Sequence, residues 1–348
     1  MRLILFTYFL IFSHHVYSNE LRICHISSYF GSQLPGAKDS SLKFSGFESN
    51  LHKKINLLKF TPKHKLDVIR GVEWAKLQKC KIVVGIITSQ DALLAAPLLE
   101  KNGMFGISAT STTHLTDKWS NSFKSLSVSS RDYVDHLSKH FKSYSKKIYV
   151  ISKKGDLYSE TYRDLLILKK LPNLEFIFLE DLKINVKSAS HTPTTLVFTT
   201  YPVDALTSIL NLNDISQYEI YGTPSWNETH LFAPFFERIN QKGKVQIWDA
   251  LDRAKSNSLL YEFLKSYKSK FGRLPDHDSI YEQDVMRLIT QCGENSNFSS
   301  EKTISCMKDL NKFQGISGRH EFKKGNSHSI RDLQLITLDK EYISENKL

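Results

Sequence analysis

Long hydrophobic runs are scarce in this 348-residue chain, and so are cysteines, of which there are four. The apolar stretch from Leu3 to Phe12 is too short to cross a bilayer as a helix, and no longer one replaces it, which argues against a membrane-spanning protein. Internal repeats of short period and low-complexity linkers are absent, so neither a repeat array nor a tail-like chain fits. No G-x-S-x-G elbow and no paired acid–base motif occurs. The hydroxyls near His114 therefore make no credible triad, which weakens an exported-hydrolase reading. Neither cysteine pair has metal-ligand spacing. The net charge of +11 comes from lysines dispersed over helix surfaces, without a stripe of interleaved aromatics, so nucleic acid is not an expected partner.

What is present begins with an export signal. Arg2 gives a positive start, Leu3 to Phe12 an apolar core, and Val16-Tyr17-Ser18 resembles a small-residue cleavage site, so residues 1–18 read as a signal peptide cleaved near Ser18. Leu21-Arg22-Ile23-Cys24 only superficially resembles a lipid-anchor box, because Arg and Ile stand where small residues are needed. An exported chain with four cysteines admits two disulfides and three pairings. Cys292 and Cys306, close together across the polar loop Gly293 to Ser300, are the favoured bridge.

The chain is organised around Val83 to Asp117. Lys81 to Ile87 reads as a buried strand, Thr88-Ser89-Gln90-Asp91 as a helix N-cap with an acid in the first turn, and Ala92 to Asn102 as an apolar helix. A second strand, Met104 to Ser108, ends in the hydroxyls of Ser108, Thr110, Ser111, Thr112 and Thr113. Open parallel sheets bind small molecules at strand carboxyl ends, where helix N-termini favour anionic groups. The plainer alternative is that Ser89 and Thr112 merely cap helices. Around this stretch, strands at Leu21 to Ser27, Ile55 to Phe60, Lys147 to Ser152, Leu174 to Leu179, Thr194 to Thr200 and Tyr218 to Gly222 alternate with helical segments, which implies parallel sheets covered on both faces.

Val84-Gly85 with Thr88-Ser89, followed by Thr110-Ser111-Thr112-Thr113-His114-Leu115-Thr116, resembles the type I periplasmic binding proteins of the leucine/isoleucine/valine-binding (branched-chain amino acid) family. Phe271-Gly272-Arg273-Leu274-Pro275 is similar to that family's F/Y-G-x-x-P break. Phe313 to Phe322 is similar to its F-x-G-x-x-G-x-x-x-F pattern, and Gly46 to its helix glycine. The family's usual insertion before the second strand is shortened here.

The resemblance implies an α/β fold of two doubly wound parallel-sheet lobes joined by three crossover segments: 19–124 plus 250–312 as lobe 1, and 125–249 plus 313–348 as lobe 2. Crossings are expected at Trp119 to Val128 and at Val245 to Asp252. Cys24 and Cys80 would lie in neighbouring strands, bridged or as buried thiols. A small ligand would be held between closing lobes, with Ser89, Thr110, Ser111 and Thr112 on one wall. Tyr158, Tyr201 and Trp226 would stand on the other, and Tyr29 at the rim. Ser89 would receive a carboxylate.

Amino-acid binders of the family place an acid after the strand corresponding to Tyr218 to Gly222. Here Thr223-Pro224-Ser225-Trp226 carries none before Glu228, so the ligand class stays open. Asp249 or Asp284 could supply charge, with hinge or surface roles as the simpler readings. The implied function is a non-enzymatic periplasmic solute receptor without cofactor or metal, monomeric, serving the permease of an ABC importer. The alternative is a sensory protein acting on a separate membrane receptor.

Overall fold

Alternation within short strands sets the architecture. In β1 (Leu21–Ile26), Leu21 and Ile23 point into one apolar cluster, and Cys24 and Ile26 into another. The same division holds in β3 (Ile82–Val84), where Ile82 and Val84 oppose Val83. A strand with both faces apolar needs cover on both sides. The computed structural model describes residues 20–27, 53–64, 66–182, 194–212, 215–227, 244–251, 258–272, 274–339 and 342. The proposed signal peptide, Tyr29, Gly46 and Glu228 lie outside them. Among the described residues no helix is long and apolar enough to cross a membrane.

The first sheet is wholly parallel. Its order is β2-β1-β3-β4-β5, with β2 at Ile55–Phe60, β4 at Phe105–Ser108 and β5 at Phe123–Ser125. Helices α1 (Asp67–Leu77) and α2 (Ser89–Lys101) cover one face, where Val72, Ala75, Ala92, Ala95, Ala96 and Leu99 meet Cys24, Val83 and Phe123. Gly106 belongs to this face by necessity: a Cβ there would fall 2.5 Å from Leu99 and 2.9 Å from Phe123.

The second sheet repeats the plan. Helices α3 (Ser130–Phe141) and α4 (Leu157–Leu168) flank β6 (Ile148–Ser152), followed by β7 (Leu174–Phe178), β8 (Thr194–Phe198), α5 (Pro202–Leu210), β9 (Tyr218–Gly222) and β10 (Lys244–Asp249). The chain then returns to the first lobe as α6 (Ser258–Phe271), α7 (His277–Asn295) and α8 (Ser300–Asp309). Residues of these helices fill the other face of the first sheet. The hairpin β11 (Lys312–Gly315) and β12 (Gly318–Glu321) and the strand β13 (Gln334–Thr337) close the fold. The second sheet runs β13-β10-β9-β8-β6-β7, parallel except for β13, which lies antiparallel on β10.

Three expectations change here. Val245 to Trp248, expected in a crossing, is the body of β10, with Val245 and Ile247 in the second lobe's core; the crossing follows at 249–251. The pattern Phe313 to Phe322, assigned to lobe 2, folds as the β11–β12 hairpin. Phe313, Ile316 and Phe322 pack in the first lobe's core, so the chain passes to the second sheet only between Arg331 and Leu333. The sheet of the second lobe is mixed at its edge rather than parallel throughout, because the returning end enters from the opposite direction.

Both cysteine pairs are bridged, Cys24–Cys80 with Cα atoms 5.9 Å apart and Cys292–Cys306 with 5.6 Å. Each lies in the first lobe.

The crossings are tied together by polar contacts. Ser125 donates its amide to the Ser327 carbonyl at 2.7 Å and accepts the Ser329 amide at 3.0 Å. Arg331 donates to Tyr281 Oη at 2.6 Å and to the Ala250 carbonyl at 3.3 Å, linking the second and third crossings. Asp284, with no exposed surface, accepts the amides of Ile316 at 2.5 Å and Ser317 at 3.0 Å. Gly315 must be glycine, since a Cβ would fall 2.3 Å from Asp284 Oδ2.

Candidate ligand-binding cleft

In both sheets the strand order reverses beside the first strand of the lobe, between β1 and β3 and between β6 and β8. Chain leaving such neighbouring strands goes to opposite faces and opens a crevice at their carboxyl ends. The polar turns expected from sequence stand at these points.

On the first lobe, Gly85 follows β3 with φ +86°, a left-handed conformation that glycine adopts without strain. Thr88 then caps α2, its Oγ1 accepting the Asp91 amide at 3.1 Å. Ser89 is the first residue of α2 and is 2% exposed; amides of this first turn have no intrahelical acceptor and favour an anion. In the second turn, Ser108 Oγ accepts the Ser111 amide at 2.9 Å, and Thr110 donates to the Ile87 carbonyl at 3.4 Å, bracing the two turns together. Ser89 Oγ lies 3.5 Å from Thr112 Oγ1. Ser111 Oγ is buried and has no hydrogen-bond partner among the described residues.

On the second lobe, Asp156 caps α4 by accepting the Ser159 amide at 2.8 Å. Ser159 Oγ accepts the Lys153 amide at 2.8 Å and lies 3.0 Å from Thr199 Oγ1, so the turns after β6 and β8 are locked to each other. That lock places Tyr158 and Tyr201 face to face, ring centroids 4.4 Å apart and planes 17° from parallel. Tyr162 packs edge-on to Tyr158 at 5.0 Å and to Tyr133 at 5.2 Å. Tyr133 donates to the Gly222 carbonyl at 2.5 Å. The hydroxyls of Tyr158 and Tyr162 are buried, and among the described residues no partner meets them at full hydrogen-bonding geometry.

Burial pushes the phenols of Tyr158, Tyr162 and Tyr201 above their usual range, so each stays a neutral O–H donor at every physiological pH. Thr223 and Ser225 stand by Tyr158, and Thr112 of the opposite lobe by Tyr162, so the two walls approach closely at this level. After burial, the largest influences on Tyr201 are Tyr158 and the carboxylates of Asp156, Asp278 and Asp91.

The structure thus brings Ser89, Thr110, Ser111 and Thr112 together on one wall, and Tyr158 with Tyr201 on the other. Trp226 is corrected. It has no exposed surface, donates Nε1–H to the Thr200 carbonyl at 2.8 Å, packs on Phe198 at 5.6 Å and fills the space over Gly222, so it serves the second lobe's core. Asp249 and Asp284 are not surface residues either. Asp249 is 3% exposed and accepts Asn227 Nδ2 at 2.7 Å and the Ala250 amide at 2.7 Å, a fixture of the second crossing. His114 Nδ1 lies 3.1 Å from Ser130 Oγ at the first crossing. Sequence reading missed Tyr162, although Tyr158 and Tyr162 are four apart and share a helix face, a signal that was available. Thr223 and Ser225 were passed over for the larger Trp226 beside them.

No protein-family model and no curated protein sequence matches this chain. Solved structures do. A leucine binding protein, LivK, from Thermotoga maritima is 14% identical, with a TM-score of 0.74, covering 92% of this chain and 96% of that one. The branched-chain amino acid transporter substrate binding protein LivJ from Streptococcus pneumoniae, in complex with isoleucine, is 13% identical with a TM-score of 0.72, covering 92% and 96%. A solute binding protein of an ABC transporter from R. palustris, in complex with benzoate, is 12% identical with a TM-score of 0.73, covering 92% and 94%. This likeness shows the fold, that of the type I periplasmic binding proteins, over nearly the full chain.

Proposed function

We propose that the protein is an exported solute receptor that closes its two lobes on a small carboxylate-bearing ligand and presents it to the permease of an ABC importer. The observation that carries this reading is the buried hydroxyl of Ser111, without a hydrogen-bond partner among the described residues, facing the buried hydroxyls of Tyr158 and Tyr162 at the strand ends of the other lobe. Buried polar groups are normally satisfied, and an unsatisfied one in a cleft supports an absent partner. Ser89 at the N-terminus of α2 receives the carboxylate, and the stacked Tyr158 and Tyr201 cover the apolar part. Closure follows from differential affinity: only the closed state lets one solute touch both walls.

The test is a thermal-shift screen of the mature chain against amino acids, other small carboxylates and aromatic acids, with titration calorimetry on each hit. A ligand that binds only the folded state raises the melting temperature. Ser89→Ala removes a hydrogen bond to a charged group, about 1.5–3 kcal/mol, so affinity falls roughly 10- to 100-fold. An unchanged Kd in both Ser89→Ala and Tyr158→Ala would remove the site assignment.

A further inference from the structure

We infer that Glu282, with Ser279 and Gln283 beside it on α7, forms a cation subsite at the switch point of the first lobe and receives a positively charged nitrogen of the solute. The inference rests on the receptor reading and names the charge type that the receptor selects.

Glu282 is a carboxylate in the wrong place for a structural role. Its side chain is 9% exposed, and its only ionic contact among the described residues is His25 Nε2, 3.7 Å from Oε1. The other oxygen, Oε2, is buried with no hydrogen-bond partner among the described residues. Two other buried acids, Asp249 and Asp284, accept backbone amides at the crossings. A carboxylate oxygen held out of water without a partner is costly, and such groups persist where a ligand supplies the missing contact.

Two neighbours have the same unmet need. Ser279 Oγ and Gln283 Oε1 are also buried without partners among the described residues. At spacings of three and four residues, Ser279, Glu282 and Gln283 share one face of α7, which therefore presents three unsatisfied oxygens side by side. An oxygen-rich face of this kind suits an N–H-bearing cation.

The location is where this topology puts ligands. His25 is next to last in β1, and Gly85 directly follows β3. A Cβ on Gly85 would lie 2.8 Å from His25 Nε2, so the ends of β1 and β3 and Glu282 converge. Strand order reverses between β1 and β3. From Gly85 the chain runs directly to Ser89, so the expected carboxylate and cation positions are served by one turn. The surrounding field agrees in sign, since Asp91, Asp156 and Asp278 all act on Tyr201, while Lys153 is held by Asp204 at 2.6 Å. A Glu in this helix supplies the charge that the segment after β9 lacks.

The experiment is titration calorimetry on the mature chain in a choline-based buffer, with leucine, phenylalanine and tyrosine against the same three compounds lacking the amino group. In the wild type at least one amino compound binds, and its desamino counterpart binds at least tenfold more weakly. Glu282→Gln weakens the amino compound about 30-fold or more, from the truncation of a buried charge pair, and leaves the desamino compound within twofold. Ser279→Ala moves affinity in the same direction by a smaller factor and serves if Glu282→Gln fails to fold by circular dichroism.

Equal affinity for both members of each pair, or an equal loss for both in the variants, overturns the subsite and leaves the receptor reading intact. If no organic compound binds, but sodium or potassium chloride raises the melting temperature of the wild type and not of Glu282→Gln, the face holds an inorganic cation, and the assignment to a solute nitrogen is overturned. Absence of both responses overturns both.

Discussion

Removing the disulfides one at a time separates the two lobes energetically. Cys24–Cys80 joins residues 56 apart, and Cys292–Cys306 joins residues 14 apart. The chain-entropy relation assigns about 4 kcal/mol to the longer loop and about 3 kcal/mol to the shorter at 25 °C. Cys24, Cys80 and Cys292 are all buried, so each double alanine variant also leaves a small cavity, worth about 1 kcal/mol. The longer bridge is therefore the more costly to lose, by roughly 1 kcal/mol.

Guanidinium unfolding followed by tryptophan fluorescence reads both lobes, because Trp74 and Trp119 lie with the first and Trp226 and Trp248 with the second. Hydrogen exchange then assigns the loss: amides of β1 to β5 lose protection, while those of β6 and β8 to β10 keep theirs. A larger loss from Cys292→Ala/Cys306→Ala, or equal deprotection of both sheets, would refute the reasoning that each bridge acts on the unfolded ensemble of one lobe.

Trp226→Ala should cost about 3–5 kcal/mol, read as a lower melting temperature of the second lobe, because the ring fills the core over Gly222; Trp226→Phe should cost less. Lys124 is buried, donates to the Met307 and Lys308 carbonyls at 3.0 and 2.8 Å, and has its pKa lowered to about 8 by burial. Between that value and the unfolded lysine value of about 10.4 the unfolded chain binds the extra proton, so this group makes stability rise with pH across that window. Lys124→Met should flatten that rise in denaturant midpoints measured from pH 8 upward. For Asp249, burial opposes the charge, yet His277, Asn227 and the Leu251 amide outweigh it and hold the carboxyl below its usual range. Its contribution is complete above the unfolded value of about 3.9 and is lost as pH falls through the lower folded value. Asp249→Asn should therefore lower stability at pH 7 and reduce the acid-induced loss, measured by circular dichroism from pH 6 to 2.

The strands were legible because each carries a short apolar run bounded by polar turns. Ile55–Phe60, Tyr218–Gly222 and the helix Ser258–Phe271 fall where the pattern places them. Thr88 as a cap was legible because Asp91 follows it at the capping distance. The fate of Val245 to Trp248 was not: four residues with a single polar one among them suit a crossing as well as a strand, and only pairing with β9 and β13 decides. Trp226 misled for a related reason. An aromatic in a turn after a strand can point outward or back, and the choice depends on Gly222 leaving room for the ring. Glu282 carries no sequence signal at all, because its lack of a partner is a property of the folded neighbourhood.

The interleaving of the lobes has a temporal side. One face of the first sheet is covered by α1 and α2, whose residues precede β5; the other is covered by α6 to α8, which end only at Asp309. At synthesis rates of about 5–20 residues per second, that second face stays open for roughly 10–40 s after β5 is made. The half-finished sheet is not without support, since Cys24 and Cys80 are both in its early half and can join before Cys292 and Cys306 exist. Order of emergence thus favours the pairing observed.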